Sequence, residues 1–531
     1  LTSVPNKVWT PGNVWVSTIT WLAGCSDTTY VVGESTCGFY GTDNLTWSKN
    51  VPTTWPALTN RFRVESRAAS EQGASYVLQA VPASREFVID DEFPAGSFVA
   101  PGSEYAKSLP QITGLAQDAA PGVVANVEIT ISTGSVGPEK YWDGSSLWVD
   151  DANWIPVTAQ TPPFDSASEP WTLASGLPTW IEGKAYWLQM RVTDKAGKAT
   201  IVPTVGFTID ITSPTTMILV PIDADKRGVN SLPSVSGTAS DTLIKNGRNR
   251  EVYVAIQKQT DPQVWYSTSI GFNVGSTDPN WIKVSPENGG TLSPAATSWI
   301  FAPEGLDAAF VTGWRYLILA RSVDAAGNVE DQYVIEDSSM VIKIDKDKPV
   351  TTISRPVDDG GVNGRYKPEE IGKNSANPQN HLSGTVTDLP ALNSGVERAQ
   401  MRLSYLLAGD TYYWATAGLN FTSGTVTEAT AWNDVLSIYG SPTSWNYLTD
   451  VLWPSGDREY VLEARAMDGS RPSDNSGQGN WEQPPYATTR FIVDGTAPSV
   501  IITSPTDSAR LNYTPAIAGT ANADLAGLSA V

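Results

Sequence analysis

The chain has 531 residues and a net charge of −21, from 35 Lys and Arg against 56 Asp and Glu. This length is too great for one hydrophobic core and predicts several domains. An acidic balance without long blocks of one sign argues against nucleic acids and anionic membrane surfaces as partners, because their phosphates would be repelled. Counts of 44 Gly, 37 Pro and 20 Trp are typical of a β-rich, turn-rich protein.

Two cysteines, Cys25 and Cys37, lie close together near the start of the chain. Their spacing within one loop-like stretch predicts a local disulfide, and therefore an oxidising compartment. A reduced pair is the alternative. Neither cysteine has a neighbouring His or a second CxxC pair, so the pattern does not favour zinc.

One junction pattern recurs four times. An alternating apolar segment ends in Asp, and Pro follows four residues later, as in "FTIDITSP". Alternation predicts a strand, while Asp and Pro predict its end and a change of direction. The four pairs are Asp90 and Pro94, Asp210 and Pro214, Asp345 and Pro349, and Asp494 and Pro498.

Two further features repeat in phase with the junctions. A glycine follows each Pro within a sequence such as "VSGTASD", at Gly114, Gly237, Gly384 and Gly519. Each repeat with a full set of strands then closes on Tyr, Arg and Asp at one spacing: Tyr186, Arg191 and Asp194; Tyr316, Arg321 and Asp324; Tyr460, Arg465 and Asp468. Self-similarity of this kind predicts a tandem array.

The repeat fixes the expected domains. We predict complete domains over residues 94–213, 214–348 and 349–497. Residues 1–93 are expected to hold only the later strands of a domain, and residues 498–531 only the first strands. About seven short strands per repeat without sustained helical periodicity predict an all-β fold, with two antiparallel sheets per domain in an elongated array of β-sandwiches.

The closing sequence from Tyr316 to Asn328 resembles the sixth and seventh strands of bacterial immunoglobulin-like (Ig-like) and fibronectin-III-like repeat domains of large extracellular or cell-surface proteins. The resemblance implies tandem Ig-like β-sandwich domains. It also implies that the repeat tyrosine forms a tyrosine corner, and that Asp-x-x-Gly-Asn forms a hairpin turn. Such domains occur in adhesins, filaments and stalks alike, so the resemblance is informative about fold rather than function.

Aromatic residues offer one candidate ligand site. Tryptophans recur in phase in the middle of each repeat: "VWTPGNVW" before Trp21, "YWDGSSLW" before Trp154, "VWYSTSIGF" before Trp281 and "YYWATAGLNF" before Trp432. Recurrence at one phase is more typical of core packing than of a sugar-stacking platform. Trp453 and Trp481 lie outside the repeat pattern and are the better candidates for binding a ligand such as a carbohydrate.

Acidic residues at the junctions offer a candidate calcium site. Asp side chains near a linker could share Ca²⁺ with the Asp of a neighbouring turn and so stiffen the joint. The alternative is that each Asp caps its strand by accepting hydrogen bonds from backbone amides. The candidates are Asp90, Asp91, Glu92, Asp210, Asp345, Asp347 and Asp494.

Catalysis is not predicted. The single histidine, His381, lies among Asn and Gln residues, and no nucleophile has a base at recognisable spacing. No catalytic residue and no cofactor other than calcium are therefore expected.

The predicted function is structural: a segment of an extracellular or cell-surface repeat protein that forms a rod, a filament or an adhesin stalk. A ligand-binding or carbohydrate-binding adhesin array is the alternative. The expected partners of the chain are further repeats or neighbouring copies of the same protein, and a glycan or cell-surface ligand. We also expect residues 1–93 to pack against a segment like 498–531 outside this copy of the chain, through either a continuous array or head-to-tail strand complementation.

Overall fold

The structure is a computed structural model of the chain. The backbone of five short strands is described before residue 79. Beyond them, the structure describes residues 80–81, 83–134, 139–222, 227–241, 249–293, 297–357, 364–389, 392–435, 437–439 and 443–522.

The chain divides into two compact units. One comprises Leu1–Glu104 and Leu109–Thr208, and the other comprises Tyr105–Ser108 and Ile209–Val531. Among the described residues, no helix is both long enough and apolar enough to cross a membrane.

Six short strands are described before the first junction, and they pair as three antiparallel two-stranded sheets: β1 with β2, β3 with β6, and β4 with β5. Their bounds are β1 Val8–Trp9, β2 Trp15–Val16, β3 Asn60–Ser66, β4 Ala69–Gln72, β5 Ser75–Leu78 and β6 Ala83–Ile89.

Eleven strands belong to the first complete repeat. Their bounds are β7 Ala95–Ala100, β8 Tyr105–Ala106, β9 Ile112–Gln117, β10 Val124–Ser132, β11 Tyr141–Trp142, β12 Trp148–Val149, β13 Ile155–Pro156, β14 Thr158–Ala159, β15 Ser168–Leu173, β16 Ala185–Asp194 and β17 Ala199–Ile209.

These strands form a β-sandwich, which we call the first sandwich. One sheet has the order β14-β15-β9-β7, and the other contains β12-β11-β10-β16-β17 with β13 beside β10. Buried and half-buried residues alternate along the whole of β16, as expected for a strand with one face on a core. Ile112 and Trp171 of one sheet and Ile129 and Leu188 of the other are all fully buried.

The second sandwich is formed by the next eleven strands with one 3₁₀ turn and one helical turn. Their bounds are β18 Thr215–Val220, β19 Val229–Ser231, β20 Val235–Ser240, β21 Asn249–Lys258, β22 Val264–Ser267, β23 Gly271–Val274, β24 Ile282–Lys283, η1 Pro286–Asn288, β25 Gly290–Leu292, β26 Ser298–Phe301, α1 Leu306–Ala309, β27 Arg315–Asp324 and β28 Ser339–Lys343.

Its two sheets have the orders β18-β20-β26-β25 and β23-β22-β21-β27-β28, with β24 beside β21. One buried cluster joins them, because Val235 and Trp299 of the first sheet pack with Val254 and Ile318 of the second. The core therefore lies between the sheets, as in Ig-like folds.

The third sandwich has the following elements: β29 Val350–Arg355, β30 Gly364–Tyr366, η2 Pro378–Asn380, β31 Leu382–Thr387, β32 Val396–Leu407, β33 Asp410–Ala415, β34 Asn420–Thr422, β35 Asn433–Asp434, β36 Ser437–Tyr439, β37 Thr443–Tyr447, β38 Arg458–Asp468, β39 Arg471–Pro472 and β40 Ala487–Val493.

Here the sheets have the orders β29-β31-β37-β36 and β30-β40-β38-β32-β33-β34, with β35 beside β32. Leu382 and Trp445 of the first sheet pack with Leu462 and Phe491 of the second. The chain is thus a tandem array of all-β, Ig-like sandwiches.

A final antiparallel pair, β41 Ser499–Ser504 with β42 Ala518–Asn522, repeats the opening of each sandwich. In every copy the repeat glycine lies opposite an apolar residue, and a register shift follows at once. The opposed pairs are Phe98 and Gly114, Ile218 and Gly237, Ile353 and Gly384, and Ile502 and Gly519. The first strand of each copy begins one residue after the junction Pro.

The second and third sandwiches contact each other directly within their compact unit. Strand β19 of the second pairs in parallel with β39 of the third. The Arg471 amide donates to the Gly228 carbonyl over 3.1 Å, and the Ser473 amide donates to the Ser231 carbonyl over 2.8 Å. Backbone hydrogen bonds therefore cross this joint.

Candidate cation sites at the domain junctions

Three aspartate triads lie at the openings of the three complete sandwiches. Each brings together the junction Asp, the Asp four residues after the repeat glycine, and the Asp of the closing turn. One carboxylate oxygen from each member lies within 4.8 Å of the other two. The triads are Asp90 with Asp118 and Asp194, Asp210 with Asp241 and Asp324, and Asp345 with Asp388 and Asp468.

The topology explains why these residues meet. In the third sandwich, Asp345 follows β28 of the preceding copy, Asp388 follows β31, and Asp468 ends β38. All three chain segments reach the same end of the sandwich. The arrangement is repeated because each sandwich uses the same strand order at this end.

The turn Asp is held by the residue that follows the turn glycine. In the second sandwich, Asn328 donates its backbone amide to Asp324 Oδ1 and its side-chain amide to Asp324 Oδ2, both over 2.8 Å. The same side-chain amide donates to the Asp210 carbonyl over 2.8 Å. The turn asparagine therefore ties the turn to the linker.

The third sandwich uses the same contacts. Asn480 donates its side-chain amide to Asp468 Oδ2 over 2.7 Å and to the Asp345 carbonyl over 3.0 Å. In the first sandwich Lys198 takes this position, and its ammonium forms an ion pair with Asp91. The linker is thus held in all three copies, by an amide in two and by a lysine in one.

The triads concentrate negative charge in buried positions. Burial, with the charges of Asp90 and Asp194, raises the pKa of Asp118. Burial likewise raises the pKa of Asp345. Burial, with the charges of Asp345 and Asp468, raises the pKa of Asp388 to about 7. The first and third triads therefore favour a bound proton or a bound cation over three free charges.

Two members of each triad were expected from the sequence, and the third was not. Asp118, Asp241 and Asp388 lie inside the repeated glycine sequence, always four residues after the glycine. That fixed offset was the available signal. Only the topology shows that the end of this strand meets the junction and the turn.

The other predicted junction residues lie outside the described triads. Asp91 pairs with Lys198, and Glu92 donates its backbone amide to Asp90 Oδ1 over 3.3 Å. Asp347 is exposed. Asp494 Oδ1 accepts from the Thr496 amide over 3.0 Å, which is the strand-capping role that we considered as the alternative.

The repeat glycine has a steric role. A Cβ atom on Gly237 would lie 1.9 Å from the Met217 carbonyl oxygen and 2.7 Å from the Trp299 ring. Gly384 is equally close to the Thr352 carbonyl and to Trp445. A buried tryptophan therefore covers Gly237 and Gly384, and no side chain fits between the tryptophan and the glycine.

The repeat tyrosine forms the expected corner in two copies. The Tyr186 hydroxyl accepts from the Ile181 amide over 3.1 Å, and the Tyr316 hydroxyl accepts from the Val311 amide over 2.9 Å. The buried Tyr460 hydroxyl has no hydrogen-bond partner. Its ring packs against Trp453 instead, with centroids 4.8 Å apart.

Of the in-phase tryptophans, Trp142, Trp265 and Trp414 are buried, as core packing predicts, whereas the tryptophan that follows each of them is not. Trp154, Trp281 and Trp432 are only half-buried. Each of the three stacks on the guanidinium of the repeat arginine in its own copy. The distances from guanidinium carbon to ring centroid are 4.4 Å for Arg191 on Trp154, 4.2 Å for Arg321 on Trp281, and 4.2 Å for Arg465 on Trp432.

The two candidate ligand residues contact their own domain. Trp453 packs on the core of the third sandwich and donates its indole N–H to the Ile371 carbonyl over 3.0 Å. Trp481 is partly exposed, stacks on Arg465 at 4.5 Å, and donates to Gln478 Oε1 over 2.9 Å. Carbohydrate binding by either residue stays a prediction.

Three other residues were singled out from the sequence. His381 is buried, and its Nε2 lies 3.0 Å from the Ser375 carbonyl oxygen. Cys25 and Cys37 lie outside the described residues.

No family model matches the chain, and no curated protein matches it. Several solved structures are similar to it at low identity. The FN1–FN3 domains of chicken CNTN1 are 13% identical, cover 72% of this chain and 94% of theirs, and have a TM-score of 0.26. The fibronectin(III)-like modules of Clostridium thermocellum CbhA are 12% identical, cover 47% of this chain and 94% of theirs, and have a TM-score of 0.25. A structure of a 1.5-MDa bacterial ice-binding adhesin is 14% identical, covers 76% of this chain and 99% of its own, and has a TM-score of 0.26.

Proposed function

We propose that this chain is a spacer segment of an extracellular repeat protein, of the rod, filament or adhesin-stalk type. The supporting observation is that the asparagine after the turn glycine donates a hydrogen bond to the linker in two of the sandwiches. Asn328 donates to the carbonyl of Asp210, and Asn480 donates to the carbonyl of Asp345. Backbone pairing also crosses the joint between the second and third sandwiches. A spacer transmits position and force along the chain, which requires joints of this kind.

A buried glutamate adds a second contact near each of two junctions. Glu330 accepts from the Thr216 amide over 3.1 Å and from its hydroxyl over 2.5 Å. It also accepts from the Ser322 amide over 3.2 Å. Glu482 binds Thr351 and the Ala466 amide in the same way. The first strand, which leads directly from the linker, is thereby fastened to the opposite sheet.

The strand pair β41–β42 carries an exposed apolar face that would suit contact with a neighbouring copy of the chain. Val500 and Ile502 are 60% and 66% exposed, whereas Ile218, which lies at the position of Ile502 in the second sandwich, is 3% exposed. An exposed apolar strand face of this kind favours association. Sedimentation in which the particle mass grows with concentration would support a neighbouring copy as partner, whereas a monomer at all concentrations would contradict it.

Single-molecule stretching of the full chain tests the spacer function. Each complete sandwich, once unfolded, should release on the order of 400 to 530 Å of chain, from the extended length per residue. We expect at least three such steps in each trace. Gradual extension without discrete steps would contradict sandwiches that bear force in series.

The alternative function, ligand binding through loops, centres on Trp481. The Trp481→Ala change leaves the core of the third sandwich intact, whereas Trp453→Ala would disturb it. Specific glycan-array binding by the full chain that disappears in Trp481→Ala would favour this alternative. Its absence at micromolar protein would favour the spacer.

A further inference from the structure

The three triads share one construction in three separate sandwiches. Each contributes carboxylates from the linker, from the loop after the strand that carries the repeat glycine, and from the closing turn. The three aspartates of a triad are far apart in the chain. The hydrogen bonds within a single turn therefore do not explain why their carboxylates lie together. A common partner for the three carboxylates accounts for the repetition.

Buried carboxylate oxygens in two triads lack that partner within the protein. Asp118 Oδ2 and Asp194 Oδ2 have no hydrogen-bond donor, although Asp118 is 8% and Asp194 is 2% exposed. Asp345 Oδ1 also has none, and Asp345 is 0% exposed. Burying a charged oxygen without a partner is strongly unfavourable.

The described lysines near these triads bind elsewhere. Lys343, whose charge acts on Asp345 and Asp388, donates its ammonium to the Asn393 carbonyl over 2.8 Å. Lys198 pairs with Asp91, which is not a member of the first triad. In the part of the chain that the structure describes, no ion pair to Lys or Arg neutralises Asp118, Asp194, Asp345 or Asp388.

We infer that each aspartate triad binds one calcium ion. The donors are all oxygens, which hard divalent cations prefer. Oxygens on opposite sides of Ca²⁺ lie roughly 4.6 to 5.2 Å apart, from its usual bond lengths of about 2.3 to 2.6 Å. Triad oxygens within 4.8 Å of one another fit this sphere. Burial of Asp118, Asp345 and Asp388 also favours a bound cation, because burial penalises these charges when no cation is present.

The position of each site predicts what the ion does. Asp345 lies at the end of the preceding sandwich, whereas Asp388 and Asp468 belong to the following one. An ion shared by these three would hold the linker against the sandwich that it enters. Calcium would then add to the amide contacts of Asn480 and would stiffen the joint. This inference does not depend on the proposed function, because an adhesin array could use the same joints.

Calcium titration of the full chain tests the inference. After removal of divalent ions, isothermal titration at pH 7.5 in 0.15 M NaCl should show at least three saturable calcium sites. Asp388→Asn keeps the shape of the side chain and removes one charge, so it should abolish one site or weaken it at least tenfold. Asp410→Asn is the matched control, since this exposed Asp lies in the β32–β33 hairpin of the same sandwich.

A second readout separates ion binding from a merely structural role. In EDTA, Asp388→Asn should raise the melting temperature of the third sandwich, because it removes a charge that Asp345 and Asp468 repel. In calcium, the same variant should melt below the unaltered protein. An Asp388→Asn protein that binds calcium like the unaltered chain, no saturable binding at 1 mM calcium, or preferential binding of Mg²⁺ would each overturn the assignment.

Discussion

Replacing Gly237 by Ala tests the packing that defines each sandwich. The backbone of Gly237 is not in the left-handed region, so the cost of the methyl group is steric. Its Cβ would lie 1.9 Å from the Met217 carbonyl oxygen, where ordinary contacts begin at 3.4 Å. Strand β18 would have to move away from β20 by roughly 1.5 Å, which is enough to break nearby hydrogen bonds.

The size of the effect follows from the bonds lost. The ladder between β18 and β20 runs from Thr215 opposite Ser240 to Val220 opposite Ser236. Backbone hydrogen bonds contribute about 1 kcal/mol each, and overpacking of a core costs about 1–3 kcal/mol. We expect Gly237→Ala to destabilise the second sandwich by about 3–5 kcal/mol.

Hydrogen exchange measured by mass spectrometry on the full chain resolves this effect by domain. Amides of β20 should exchange about 150-fold to 5,000-fold faster in the variant, whereas amides of β31 in the third sandwich should not change. Gly275→Ala is the control, because no atom lies within 4 Å of its Cβ position and its φ is not positive. Protection of β20 within tenfold of the unaltered protein would refute the steric role of the repeat glycine.

Three further predictions use the same protein. Tyr316→Phe removes a corner hydrogen bond and should destabilise the second sandwich by about 1–2 kcal/mol, whereas Tyr460→Phe should change the third by less than about 0.5 kcal/mol; equal losses by hydrogen exchange would contradict the difference between the corners. Because the pKa of Asp388 is raised to about 7, calcium-free folded protein binds protons more readily than unfolded protein between about pH 4 and 7, so its melting temperature in EDTA should fall as pH rises through this range. Asp388→Asn should reduce that slope, and an unchanged slope would count against the raised pKa. Cys25 and Cys37 should be bonded to each other, and two thiols alkylated without reductant, detected by intact mass, would show the reduced pair instead.

Periodic features were predictable from sequence because each is local. Alternating apolar residues gave the strands, and the junction Pro precedes the first strand of every copy. The spacing of Tyr316 and Arg321 indicated the closing strand. These signals require only that neighbouring residues face opposite sides of a sheet.

Contacts between distant segments were not predictable in the same way. Asp388 was visible four residues after Gly384, but its approach to Asp345 and Asp468 depends on which strand ends share one end of the sandwich. The contact of Trp445 with Gly384 could not be predicted for a similar reason, since the tryptophan lies on another strand. A sequence pattern gives the phase of a residue, whereas the strand order decides its partner.

Small-angle X-ray scattering of the full chain in calcium tests the central claim most directly. The three complete sandwiches and the two end segments amount to about four domain lengths of ~30 to 40 Å. Placed in line, they would extend over ~120 to 160 Å, which corresponds to a radius of gyration of about 35 to 46 Å. A single compact globule of this length would have a radius of gyration of about 24 Å. A spacer predicts the larger value, with a maximum dimension that persists at dilution. A value near 24 Å would contradict a spacer built from sandwiches in series.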